Sequence, residues 1–105
     1  MSNSVRWFLF ITLLSLPLHA QVTGTILGYF GAEVIKVEPP EGGDPIRTWR
    51  ETCDGISFWW RSIARNKKCV TLDLRTARGR ELMTELAARA DVFVENFRPG
   101  IMEKW

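Results

Sequence analysis

The strongest constraint on the fold is a strand-like run, a helical pattern and a second strand-like run, which together occupy about 27 residues. The two runs, at residues 69–74 and 91–95, are rich in β-branched and apolar residues. Thr76 is a suitable N-cap for the helix between them. The apolar positions that line one face of this helix are Leu82, Met83, Leu86 and Ala90. This order predicts a right-handed crossover unit, the building block of a parallel sheet.

The preceding residues continue the alternation of helix and strand. A short helix is expected from Val22 to Phe30, with Gly31 as its left-handed C-cap, and a strand at residues 32–38 is stopped by Pro39. A further short amphipathic helix is expected at residues 56–64, with its aromatic residues in the core. The predicted fold class is therefore α/β.

Residues 1–20 allow two interpretations. They contain one cation, an apolar run of about a dozen residues and a small-residue site at Ala20, which is typical of a secretory signal. The same run at residues 8–14 also suits a buried strand of a parallel sheet. The run is too short to favour a membrane span of ~20 apolar positions. We therefore divide the chain into residues 1–20, a signal-like segment or first strand, and a domain at residues 21–105.

Composition limits the remaining function classes. A chain of 105 residues with 46% apolar content can form one small domain, and its net charge of +2 does not argue for nucleic acid. Six cations face two acids between Arg47 and Lys68, which would attract phosphates or form a solvated surface. Cys53 and Cys69 lack metal-ligand spacing, so no metal is expected, and two isolated buried thiols are the favoured interpretation.

Sheet topology predicts where a ligand would bind. Ligands of open α/β sheets bind outside the carboxyl ends of the strands. Here these ends are residues 39–44, residues 75–76 and residues 96–100, which offer amides, an aromatic face and guanidinium groups. Such a set suits an aromatic, phosphorylated ligand, although neither a P-loop nor a GxGxxG motif is present.

Four ordered blocks then carry a family resemblance. They are residues 31–39, residues 43–49 with Gly43-Asp44-Pro45, residues 65–74 with Arg65-Asn66-Lys67-Lys68, and residues 90–100, which read ADVFVENFRPG. In these blocks the chain resembles the amino-terminal part of the family III CoA-transferases. That group includes formyl-CoA and succinyl-CoA:glutarate CoA-transferases and α-methylacyl-CoA racemase.

The resemblance implies a Rossmann-like parallel sheet with flanking helices, a homodimer of interlocked subunits, and coenzyme A or an acyl-CoA as substrate. Carried over by position, the CoA-binding residues would be Leu72, Asp73, Leu74, Arg75, Asn96, Phe97, Arg98 and Lys104. Phe97 would stack on adenine, and the cations would neutralise phosphates. The chain departs from the family pattern at His19-Ala20-Gln21, where an Ala-Gly-Pro-like turn is usual, and at Pro39, where some members have arginine.

The resemblance also implies transfer of CoA between an acyl-CoA and a carboxylic acid through an aspartate nucleophile. That aspartate lies beyond Trp105 in the family, so no residue here receives a catalytic role. Glu95 is expected to order the loop that follows it rather than to react. A cytoplasmic or mitochondrial location follows from the resemblance, whereas the signal-like start leaves a secreted interaction module, with a Cys53–Cys69 disulfide, as the alternative.

Overall fold

The computed structural model describes residues 8–11 and 18–105. Within them three α-helices alternate with six strands and two 3₁₀ turns. The helices are α1 (Leu18–Tyr29), α2 (Phe58–Ile63) and α3 (Ala77–Ala87). The strands are β1 (Phe8–Ile11), β2 (Val34–Glu38), β3 (Thr52–Cys53), β4 (Ile56–Ser57), β5 (Lys67–Thr71) and β6 (Val92–Glu95). The 3₁₀ turns are Pro45–Thr48 and Met102–Lys104.

Four strands form one parallel sheet in the order β5-β2-β1-β6. β1 pairs with β2 on one side and with β6 on the other, in a register that places Phe8 beside both Val34 and Val92. β5 pairs with β2, with Lys36 beside Cys69. The crossover through α3 therefore spans the sheet from one outer strand to the other. This arrangement confirms the predicted α/β class.

The two faces of β2 bury different side chains. Ile35 and Val37 join Leu74 and Met83 in one apolar cluster, which places α3 on that face. Val34 packs with Ala20 of α1 on the opposite face, where Lys36 and Glu38 are also buried. Alternation along a strand explains this division, and it gives a sheet covered by helices on both sides.

Several predicted boundaries were wrong by a few residues. α1 begins at Leu18 rather than Val22, although Gly31 ends it as expected, with φ of +92°. β5 ends at Thr71, so residues 72–74 belong to the following turn and not to a strand. α2 begins only at Phe58, because the Ser57 side chain caps it by accepting from the N–H groups of Trp59 and Trp60.

Residues 52–57 form a two-stranded antiparallel hairpin that the sequence analysis did not predict. Its turn is Asp54-Gly55, and both residues have positive φ, at 53° and 75°. This pair is typical of a tight hairpin turn, so the signal was present in the sequence. The hairpin strands are only two residues long, which is why alternation could not reveal them.

The prediction that the aromatic residues of α2 lie in the core was wrong. Phe58 and Trp59 are exposed, and Ile63 is the buried residue of this helix. Trp60 is half-buried and lies under the cations of Lys36 and Arg47. A six-residue helix has too few turns to bury every apolar side chain against the sheet.

β1 lies within the segment for which the sequence allowed two interpretations. Residues 1–7 and 12–17 lie outside the described residues, so the division at residue 20 stays a prediction. The prediction of buried thiols was wrong, because Cys53 and Cys69 are both exposed and are not bridged. Among residues 8–11 and 18–105, no helix is long and apolar enough to cross a membrane, and no cluster of three metal-ligating side chains occurs.

Candidate functional site

A cleft of about 590 Å³ opens at the carboxyl ends of the parallel strands. Its walls are the loop after β2, the turn after β5 and the segment after β6, which are the three strand ends that topology selects. The residues that line it are Pro39, Glu41, Gly43, Pro45, Leu72, Asp73, Leu74, Arg75, Phe97, Arg98, Ile101 and Trp105. A cleft of this volume, mostly apolar with a few charged groups, is typical of a small-molecule or cofactor site.

The turn between β5 and α3 is held by hydrogen bonds to Asp73. The Asp73 carbonyl accepts from the Thr76 hydroxyl at 2.8 Å, and the Thr76 hydroxyl in turn accepts from the Gly79 N–H at 3.0 Å. A Cβ at Gly79 would overlap the Asp73 carbonyl oxygen, so the start of α3 lies directly against the turn. Thr76 is the N-cap, as predicted.

Asp73 and Arg75 form a bidentate ion pair at the edge of the cleft. Arg75 donates from Nε to Oδ1 at 2.8 Å and from a terminal nitrogen to Oδ2 at 3.1 Å, and its backbone N–H also reaches Oδ1 at 3.0 Å. The Arg75 guanidinium lowers the pKa of the Asp73 carboxyl, and the Asp73 carboxylate in turn raises the pKa of Arg75. The guanidinium that was predicted to meet phosphate is therefore paired with a carboxylate in this structure.

The segment after β6 folds back over the cleft. Glu95 accepts from the Phe97 N–H at 2.8 Å, which confirms that Glu95 orders this loop. Gly100 has φ of +85°, and the chain then turns so that Trp105 meets Phe97 edge to face, with ring centroids 5.4 Å apart. The two rings give the cleft an aromatic wall.

Leu72 and Leu74 have structural partners as well as a place in the lining. The Leu72 N–H donates to the Glu38 carbonyl at 3.0 Å and extends the pairing of β5 with β2 by one bond. The Leu74 side chain is buried in the core. Its carbonyl, together with that of Arg75, accepts from the Arg80 guanidinium.

Six of the eight predicted site residues lie together in this cleft: Leu72, Asp73, Leu74, Arg75, Phe97 and Arg98. Asn96 and Lys104 are exposed and are not among the lining residues. Trp105 and Ile101 also line the cleft, although no site role was predicted for either. Their approach depends on the turn at Gly100, which no pattern in the sequence specifies in three dimensions. The role of all eight residues in binding CoA remains a prediction.

A sequence model of CoA-transferase family III matches residues 11–105. The chain belongs to CoA-transferase family III.

Curated relatives of this family III chain share its sequence over most of its length. Succinyl-CoA--D-citramalate CoA-transferase of Chloroflexus aurantiacus is 53% identical over 83 residues, which are 78% of this chain and 21% of the relative. Human succinyl-CoA:glutarate CoA-transferase is 48% identical over 75 residues, or 70% of this chain and 17% of the relative. The chain thus spans about a fifth of the length of these relatives.

Two solved structures contain the fold of this chain. A CAIB/BAIF family protein from Brucella suis superimposes with a TM-score of 0.79 at 36% identity, over 97% of this family III chain and 27% of that protein. Rv3272 from M. tuberculosis gives a TM-score of 0.73 at 37% identity, over 93% of this chain and 27% of that protein. Nothing in these matches supports a secreted interaction module.

Proposed function

We propose that this chain is the coenzyme A-binding part of a CoA-transferase, an enzyme that moves CoA between an acyl-CoA and a carboxylic acid. The observation that carries the proposal is the convergence of residues 72–75 and 97–98 on one cleft. Its apolar and aromatic wall suits adenine and pantetheine, and its cationic groups suit phosphates.

The cleft lining carries two guanidinium groups that can bind phosphates, beside the carboxylates of Glu41 and Asp73. Arg98 is exposed at its edge, and Arg75 is held nearby by Asp73. A diphosphate would compete with the Asp73 carboxylate for the Arg75 fork, because both present oxygen pairs that a guanidinium binds bidentately. Lys104 and Asn96 would join the ligand only if the exposed loop around them closed.

The chemical step is assigned to chain beyond these residues. In the proposed reaction a carboxylate attacks the thioester carbonyl, the C–S bond breaks, and CoA leaves as thiolate while an acyl anhydride remains on the enzyme. Glu41, on the loop after β2, also lines the cleft and is assigned no catalytic role. Asp73 pairs with Arg75, and Glu95, at the end of β6, accepts from the Phe97 N–H. Both are positioned as loop supports, so neither is proposed as the nucleophile.

Calorimetric titration of the 105-residue chain with CoA tests the proposal. We expect weak binding, with Kd of roughly 0.1–1 mM, because most of the family's chain is not included. Arg98→Ala should weaken binding about tenfold through loss of a charge-assisted hydrogen bond. Arg89→Ala, at an exposed position outside the cleft, is the matched control and should bind as the original chain does.

Titration with adenosine and with pantetheine separates the two ends of the ligand. Adenosine should bind through the Phe97 and Trp105 wall, and Arg98→Ala should leave that affinity unchanged. No binding of CoA at millimolar concentration, or equal binding by the Arg98→Ala variant, would contradict the proposal.

We further propose that residues 1–20 are retained, that the protein acts in the cytoplasm or mitochondrion, and that the complete enzyme is a homodimer. β1 bonds to both β2 and β6, so a chain cleaved at residue 20 would lose the strand that joins them. Mass spectrometry of the amino terminus tests retention, and a chain that begins at Gln21 would contradict it.

A further inference from the structure

Four charged side chains, three of them buried and Arg47 partly exposed, form a cluster beneath the loop that walls the cleft after β2. We call this cluster, Lys36, Glu38, Asp44 and Arg47, the clasp. Lys36 has no exposed side-chain surface and donates to Glu38 Oε1 at 3.0 Å and to Asp44 Oδ2 at 2.6 Å. Arg47 donates to both oxygens of Glu38, at 2.8 Å and 3.1 Å.

The clasp is electrically balanced, with two cations and two carboxylates. Burial alone would raise the pKa of Glu38, but hydrogen bonds and charge from Arg47 and Lys36 lower it to about 2. Isolated buried charges are costly, so such a cluster persists only where each group is paired and hydrogen-bonded. No buried side-chain nitrogen or oxygen in the described part of the chain lacks a partner.

The clasp closes the loop at its two ends. Glu38 is the last residue of β2, and its Oε2 accepts from the Asp44 N–H at 3.1 Å, which brings residues 38 and 44 together. Asp44 also caps the 3₁₀ turn Pro45–Thr48 by accepting from the Ile46 N–H at 2.9 Å. The loop between them supplies Pro39, Glu41 and Gly43 to the cleft lining.

The packing around the clasp leaves little freedom. A Cβ at Gly43, whose φ is +67°, would lie 2.5 Å from Glu38 Oε2 and 2.9 Å from Arg47 Nε. On the other side the Arg47 guanidinium lies 3.8 Å from the centre of the Trp60 ring, and Lys36 Nζ lies 4.6 Å from it. Trp60 of α2 therefore covers the cluster, and the loop has one position in which these contacts are all made.

We propose that the clasp positions residues 39–45, which wall the cleft, for coenzyme binding without itself touching the coenzyme. Arg47 is the member of the clasp whose contacts we change to test this. This inference rests on the proposed function. The Arg47 guanidinium donates two hydrogen bonds to Glu38, and its planar face stacks on the Trp60 ring. The role of Arg47 therefore depends on the shape of the guanidinium and not on charge alone. Arg47, one of the cations in the phosphate-attracting stretch of the sequence, is thereby assigned to the protein's own carboxylate.

Arg47→Lys in the 105-residue chain is the test, because it keeps the charge but removes the fork and the planar stacking. We expect CoA to bind roughly five- to twentyfold more weakly, and hydrogen exchange at the Asp44 and Ile46 amides to become roughly tenfold faster. Arg50→Lys is the matched control: Arg50 lies 4.7 Å from the Trp49 ring, outside the cleft lining, and CoA affinity should stay within about twofold.

A second control distinguishes the positioning of residues 39–45 from a general loss of protein stability. Ile63→Val removes one buried methylene from the last residue of α2, the helix that carries Trp60. It should lower the melting temperature without changing CoA affinity at 10 °C by more than about twofold. If Ile63→Val weakens CoA binding as much as Arg47→Lys does, the proposal is overturned.

The amide exchange rates and the CoA affinity of Arg47→Lys give two further outcomes that would overturn the proposal. Unchanged amide exchange in Arg47→Lys overturns the proposal whether or not CoA binds, and faster exchange with unchanged CoA affinity overturns it as well. If the unsubstituted chain does not bind CoA, the proposed function fails instead, and the exchange rates alone then decide whether the clasp holds the cleft wall.

Discussion

At the scale of single residues, the Asp73–Arg75 pair bears directly on the proposed contact between Arg75 and a phosphate. Asp73 fixes the guanidinium through two hydrogen bonds and also occupies the donors that a phosphate would use. Pre-organisation favours binding, whereas competition opposes it. Arg75 is exposed and Asp73 partly exposed, so water screens the pair and Asp73 contributes little pre-organisation. The Asp73 carboxylate would also repel a phosphate, so we expect its unfavourable effect on binding to dominate.

Asp73→Asn should therefore strengthen CoA binding, by about two- to fivefold, since it releases the Arg75 fork while the amide still supports the turn. Calorimetry at low salt is the measurement. Asp54→Asn, which makes the same change in the hairpin outside the cleft, should leave the affinity unaltered. Weaker binding by Asp73→Asn would mean that holding Arg75 in place matters more than freeing it.

At the scale of elements, Lys67, the first residue of β5, bonds to two helices, α1 and α2. Its Nζ donates to the Gln21 carbonyl at 2.8 Å, to Gln21 Oε1 at 3.1 Å and to the Ile63 carbonyl at 2.7 Å. Burial, followed by repulsion from Lys36, lowers the pKa of Lys67 to about 8. The ammonium ion is thus disfavoured in the folded protein relative to the unfolded chain.

Because the unfolded chain binds this proton up to pH 10.5, the free energy of unfolding should rise between pH 8 and pH 10.5. The expected gain is roughly 1–3 kcal/mol, and below pH 8 the penalty is fully present. Urea unfolding across this range is the measurement, in a Cys69→Ser background that removes ionisation of the Cys69 thiol, whose pKa is raised by partial burial. The same series in Lys67→Met should lack the rise, and a rise that persists there would assign it to another group.

The elements differ in how well the sequence could predict them. The start of α3 and the bounds of β6 were predicted to within one residue, because Thr76 has a strong capping signal and residues 91–95 read clearly as a strand. The end of α3 was placed too late, since Ala90 had been predicted on its face and the helix ends at Ala87. The end of β5 was placed three residues too late, because residues 72–74 continue its alternation although they already form the turn. Sheet topology pointed to the strand ends at residues 75–76 and 96–100, and the family resemblance added Leu72, Asp73 and Leu74. The clasp could not be predicted, since nothing local marks Lys36 as buried.

At the scale of the whole molecule, α1 leaves an apolar stripe uncovered. Val22, Ile26 and Tyr29 are exposed at helical spacing, and Phe30 beside them is 88% exposed. Contiguous exposed apolar surface of this kind usually marks a contact with more protein. The chain spans about a fifth of its relatives, which is consistent with additional chain covering this stripe in them.

We expect the 105-residue chain on its own to self-associate through this stripe. Sedimentation velocity between about 5 and 200 μM should show a mass that increases with concentration, and Ile26→Ser with Phe30→Ser should reduce the association. Ile56→Ser, which removes a single exposed apolar side chain from the hairpin, is the control. A chain that stays monomeric throughout would show that the stripe is tolerated in water.

The strand order has a mechanical consequence for the cleft. The turn at Arg75 follows β5 and the segment at Phe97 follows β6, and these are the two outer strands of the described sheet, three strand spacings or roughly 14 Å apart. A bound molecule that contacts both segments would link the two outer strands. Separation of the outer strands would then require the bound molecule to lose its contacts with one of them first.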